Sequence, residues 1–143
     1  MRTESDKKVF FYKNPIALIF GLSAFFMMVQ CQQNPYAHGK IMYENFCVNC
    51  HMEDGTGLKG NIPPLAGADY LINHADKLPC IIRYGINEEM VVNGETYHAP
   101  MEGIPQLKEV EIANIINYIN HEWGNNNGYT SIQAVRKQLE TCE

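Results

Sequence analysis

The sequence has little basic charge. Of its 143 residues, 11 are Lys or Arg and 16 are Asp or Glu, a formal charge of −5. Nucleic-acid phosphates need a basic face, so such a chain is a poor partner for them. Long apolar runs are also missing. The longest uncharged, mostly apolar stretch, Pro15–Val29, has fifteen residues, against about 20 for a membrane-spanning helix. There is no convincing alternation of strand length apart from one short hairpin signal, which argues against a β-rich fold. A second C-x-x-C pair, which a four-cysteine zinc site requires, is absent. Hydrophobic residues are plentiful at 45%, with 19% charged, which excludes a wholly disordered chain. The length suits one domain.

The start of the chain reads as an address. Arg2, Lys7, Lys8 and Lys13 precede the apolar run, the pattern of a secretory signal. The run ends at Met28-Val29-Gln30-Cys31. This resembles a lipobox, in which cleavage precedes a cysteine that is then lipidated. Gln30 departs from the small residue usual there; an ordinary signal peptide and an uncleaved anchor are the alternatives. On the lipoprotein reading, residues 1–30 are the signal peptide and 31–35 a tether. Residues 36–124 are then the domain and 125–143 a C-terminal extension. Cleavage removes four of the basic residues and two of the acidic ones, leaving seven and fourteen, a charge of −7. Lipid on Cys31 would hold the mature chain on the periplasmic side of a bacterial membrane.

Five cysteines is an odd number, so each needs an account. Cys47-Val48-Asn49-Cys50-His51 is C-x-x-C-H, the pattern of covalent c-type haem attachment. Two thiols three residues apart share one face of a helical turn. They can form thioethers with the two vinyl groups of one porphyrin, while the adjacent imidazole reaches the iron. Half a zinc site, a thioredoxin-type pair and a plain disulfide are the competing readings of C-x-x-C.

The flanks of this motif resemble the class I (monohaem) cytochromes c over about Pro35–Trp123. Tyr36–Phe46 reads as an amphipathic helix with Gly39 and Tyr43 on one face. Leu107–Trp123 reads as the last long helix, with apolar residues at Val110, Ile112, Ile115, Ile116 and Ile119. The resemblance implies that Ile115 and Tyr118 meet the Gly39/Tyr43 face. His51-Met52-Glu53-Asp54-Gly55-Thr56-Gly57 resembles the family's glycine loop after the motif. Ile62-Pro63-Pro64-Leu65 resembles its proline-leucine segment. That implies a Pro63 carbonyl accepting from the imidazole nitrogen turned away from iron, and Leu65 packed on the porphyrin.

The sixth iron ligand is expected at Met101, in Tyr97-His98-Ala99-Pro100-Met101. The family's axial Met lies in such a loop, although Glu102 stands where the family usually has Pro. Met90 and His98 are the rivals. The expected cofactor is one covalent haem c with iron, bound by Cys47, Cys50, His51 and Met101, with Pro63 and Leu65 beside it. Met42 and Met52 lie too close to the motif to reach the opposite haem face.

The expected fold is all-α, the class I arrangement of helices around one haem. Asp76–Gly85 reads as a short helix with Pro79 in its first turn. Asn93-Gly94 marks the one hairpin signal, around Val91–Tyr97. Past Gly124, Thr130 with Gln133 reads as a capping box opening a short helix over Ser131–Thr141. Once lipid and haem are assigned, Cys80 and Cys142 remain. They can pair in an oxidising compartment; two separate thiols is the alternative.

A haem with both axial positions filled leaves no site for substrate, so a tethered one-electron carrier of a respiratory chain is expected, not an enzyme. Its partners would be redox proteins with a basic docking patch; nucleic acid and small-molecule substrates are not expected. The alternatives are a relay subunit of an oxidase or reductase, and a haem enzyme or gas sensor with a labile sixth ligand.

Overall fold

The structure, a computed structural model, describes residues 34–142. The leader, Cys31 and the first part of the tether lie outside the described residues. Helix α1 spans Ala37–Phe46 and is followed at once by α2, the single turn Val48–His51. Two short helices follow, α3 over Asp69–Asn73 and α4 over Leu78–Tyr84. The long helix α5 covers Glu109–Ile119, and α6 covers Ile132–Leu139.

Helix α5 forms the spine of the core. Ile112, Ile115, Ile116 and Ile119 are all buried, at the spacing of one helical face. Val110 does not join them and is 43% exposed. The helix start, which has no Ser, Thr or Asp, is built differently: the Lys108 amide donates to the Glu111 carboxylate at 2.7 Å. A lysine ammonium has no lone pair to accept the reciprocal bond, so only this arm of a capping box exists. The helix is shorter than Leu107–Trp123. Asn120 caps it, and the chain turns away with positive φ at Trp123 and Gly124.

Helix α1 crosses α5 at Gly39, whose missing side chain is what permits the contact. A Cβ there would run into the Asn114 carbonyl oxygen and lie 2.6 Å from Tyr118 Cβ. The Tyr43 ring lies 5.3 Å from that of Tyr118 and 5.1 Å from that of Trp123, forming an aromatic junction below the crossing.

The all-α expectation is corrected: the fold is mostly helical with two small antiparallel ladders. Strand β1 (Gly85–Ile86) pairs with β4 (Met101–Glu102), and β2 (Met90–Val92) pairs with β3 (Glu95–Tyr97). The second ladder closes on Asn93 (φ 52°) and Gly94 (φ 80°), the left-handed pair that a tight hairpin turn requires. Asn93 and Asp69 exchange two backbone-to-side-chain bonds, of 2.8 and 3.0 Å, which fasten the hairpin to α3. The β2–β3 hairpin lies at the Asn93-Gly94 signal, whereas the two-residue strands β1 and β4 carry too little alternation to register in the sequence.

The C-terminal tail packs onto α5. Asn117 and Asn120, both buried, stitch it down: Asn117 donates to the Thr130 carbonyl at 2.9 Å and accepts from the Thr130 amide at 2.8 Å. Thr130 therefore does not cap α6. Ser131 does, its hydroxyl accepting from the Ala134 amide at 3.1 Å. Val135 is fully buried, and a disulfide joins Cys142 to Cys80 on α4.

Candidate functional site

Cys47 ends α1, and the turn α2 carries Cys50 and His51. The His51 amide bonds to the Cys47 carbonyl at 2.9 Å, so the three side chains are displayed by one continuous helical turn. Cys47 is half-buried and Cys50 exposed. Burial, then the neighbouring Cys50, pushes the Cys47 thiol up to about 12. Unmodified, it is neutral at ordinary pH.

His51 is 9% exposed, and its Nδ1 lies 3.3 Å from the Pro63 carbonyl oxygen. A proton on Nδ1 donated to that carbonyl leaves the Nε2 lone pair available to a metal. Burial holds the imidazole below its usual range, opposed by the Pro63 bond. Burial favours the neutral ring, and the Pro63 bond fixes which nitrogen carries its proton. Gly57 makes this approach possible. It sits at φ +64°, and a Cβ there would press into the Ile62 carbonyl oxygen and lie 2.6 Å from that of Pro63. The Leu65 amide returns to the Gly55 carbonyl at 2.7 Å, closing the loop.

These residues line one largely apolar cavity of about 380 Å³. Cys47, Cys50, His51, Pro63, Leu65 and Met101 all contribute to its wall, with Ile81 and Ile82 from α4 and Ile115 and Ile119 from α5. Met90 also lines it, so two thioethers face the same space. His98 does not. Its side chain is 73% exposed, with Nδ1 3.5 Å from a Glu89 carboxylate oxygen. Among the described residues no group of three or more His, Cys, Asp or Glu could hold a bare metal ion. Two thiols, a tautomer-fixed imidazole and a thioether around an apolar hollow fit a flat, apolar iron macrocycle. That donor set would supply two covalent links and two axial ligands.

Three supports had no clear signal in the sequence. The Tyr43 hydroxyl donates to the Met52 carbonyl at 2.6 Å. The Trp123 indole donates to the Glu53 carbonyl at 2.9 Å. Asn125 donates to the Leu65 and Ile119 carbonyls, at 2.9 and 2.7 Å, and accepts from the Gly67 amide at 2.8 Å. It thus clamps the proline-leucine loop to the end of α5. Along the chain Gly124-Asn125 is a stop signal after the last long helix, which gives no sign of this clamp.

A family model described as cytochrome c matches residues 36–123. A cytochrome c-552 of Thermus thermophilus is 36% identical over 92 residues, covering 62% of this chain and 70% of that one. A second Thermus thermophilus cytochrome c-552 is equally similar, with 62% of each chain covered. The cytochrome c subunit of a quinone alcohol dehydrogenase from Gluconobacter oxydans is 32% identical over 106 residues. That match covers 72% of this chain but only 22% of that subunit.

Proposed function

This chain belongs to the cytochrome c family, whose members bind covalent haem c and carry electrons rather than transform substrates, and from that premise we propose a membrane-tethered, periplasmic one-electron carrier of a bacterial respiratory chain. The observation that carries the reading is the convergence of Cys47, Cys50, His51 and Met101 on one apolar cavity. Cys47 and Cys50 would hold the porphyrin by thioethers, and His51 and Met101 would take the two axial positions of the iron. The haem iron, when bound, supplies the one-electron change. The Pro63 carbonyl accepts from Nδ1 of His51, which would leave Nε2 free to bind the metal. Met101 would fill the sixth position, and its thioether would favour the reduced state. The apolar walls exclude water and limit the reorganisation that accompanies electron transfer.

The tether rests on the basic leader, the short apolar run and Cys31. Among the described residues no helix is long and apolar enough to cross a membrane; the attachment in this reading is a lipid on Cys31. The mature charge of −7 favours a partner with a basic docking patch, and association that slows as salt rises. A relay role inside a larger complex has one observation behind it, the likeness to a dehydrogenase's cytochrome subunit.

Spectra of the purified protein, with and without carbon monoxide, test the site. The reduced wild-type protein is expected to resist carbon monoxide, and Met101→Ala to bind it readily. Ready binding by wild type would refute the closed site, and an unchanged Met101→Ala spectrum would refute the ligand. The intact mass of the mature protein reads lipid, haem and disulfide together; an unmodified Cys31 would refute the tether.

A further inference from the structure

Met101 lies on β4, a strand of two residues held by very little. Its ladder partner is Ile86, and Glu102 pairs with Gly85. The Ile104 amide, just beyond, donates to the Ile82 carbonyl at 2.9 Å. Both supports belong to one continuous stretch, α4 running directly into β1. The backbones approach so closely here that a Cβ on Gly85 would meet the Met101 carbonyl oxygen. Where α4 goes, Met101 follows.

The far end of this stretch is tied covalently. Cys80, in the first half of α4, is joined to Cys142 at the end of the tail. The tail is itself anchored on α5 by Asn117, Asn120 and the buried Val135. Helix α4 also packs directly on α5 and α6; the disulfide adds a covalent connection from α5 through α6 to α4, which continues through β1 to the strand of Met101. A bond closing a loop across 62 residues restricts how far α4 can move from the core, and local opening governs how often a ligand strand lets go.

We propose that the Cys80–Cys142 disulfide is a positioning device for Met101, by which the C-terminal tail keeps the sixth position of the iron closed. The inference rests on Met101 being the sixth ligand. Breaking the tie leaves the haem attached through Cys47 and Cys50, but lets α4, β1 and β4 open together more often.

Carbon monoxide association with the reduced holoprotein reads that opening directly. Wild type would be compared with Cys80→Ser/Cys142→Ser, Met101→Ala and Ile112→Val, the last a fully buried residue of α5 outside the cavity wall. The double serine variant is expected to bind about ten times faster than wild type, since local opening sets the rate, and Met101→Ala faster still. Ile112→Val lowers global stability and should leave the rate near wild type. Wild type with its disulfide cleaved by a phosphine should bind as fast as the serine variant and slow again on reoxidation. Hydrogen exchange of the Ile104 amide should quicken in the same samples. A slow serine variant beside a fast Met101→Ala overturns the proposal and spares the ligand assignment. A slow Met101→Ala overturns the ligand assignment itself. Equal acceleration by Ile112→Val would show a purely structural effect and also overturn the proposal.

Discussion

The indole nitrogen of Trp123 donates to the backbone carbonyl of Glu53 at 2.9 Å, across seventy residues of sequence. The same ring covers Gly55, where a Cβ would lie 2.6 Å from Trp123 Cε3. The segment after α5 thus pins the loop that follows the haem-attachment motif. Trp123→Phe is expected to cost about 1 kcal/mol, the loss of one exposed hydrogen bond. Gly55→Ala is expected to cost about 2 kcal/mol or more, combining φ +68° with the ring contact. In a Trp123→Ala background the Gly55→Ala cost should fall to the φ component alone. Urea denaturation of the four proteins measures the coupling; strictly additive costs would refute the contact.

Gly39→Ala tests the crossing of α1 and α5. In an isolated helix alanine is favoured by about 1 kcal/mol. Here the added Cβ meets the Asn114 carbonyl and Tyr118, and overpacking of this kind costs about 1–3 kcal/mol. The helices must separate, so a net loss of about 1 kcal/mol or more is expected in thermal unfolding. A stabilised variant would show that the crossing has slack.

The Tyr43 hydroxyl is held above its ordinary value of 10.0, first by burial and then by Cys47, Tyr118 and Asp54. Above pH 10 the unfolded chain releases this proton while the folded chain keeps it. Stability from this group is therefore complete below pH 10 and declines as pH rises past it. Tyr43→Phe removes the bond to the Met52 carbonyl and should cost about 1–2 kcal/mol at neutral pH. It should also make the alkaline decline shallower, as read by urea melts at a series of pH values. A slope identical to wild type would exclude Tyr43 from the decline.

Much of the site is legible along the chain because its chemistry is local. Cys47, Cys50 and His51 sit within five residues, and helical geometry alone puts them on one turn. Gly39 and Tyr43 are one turn apart, so their shared face follows from the period of the helix. The hairpin at Asn93-Gly94 was readable for the same reason. The β1–β4 ladder was not: its strands are two residues each, and their pairing depends on where α4 ends. The clamp at Asn125 is not legible either, since a helix stop and a three-bond clamp use the same residue, and only the fold brings Leu65 and Gly67 to it.

The sequence by itself determined the attachment chemistry, the helical faces and the turn positions, because these depend on spacings of a few residues and on backbone angles that few side chains permit. Only the tertiary structure decided that His98 stands in solvent while Met90 and Met101 face the cavity, and that Ser131 rather than Thr130 caps the last helix. It also joined Cys80 to Cys142 and hung the strand of Met101 on α4. Those outcomes depend on contacts between residues tens of positions apart. Such contacts are set by how the packed faces exclude water together, and no single stretch of the chain carries that information.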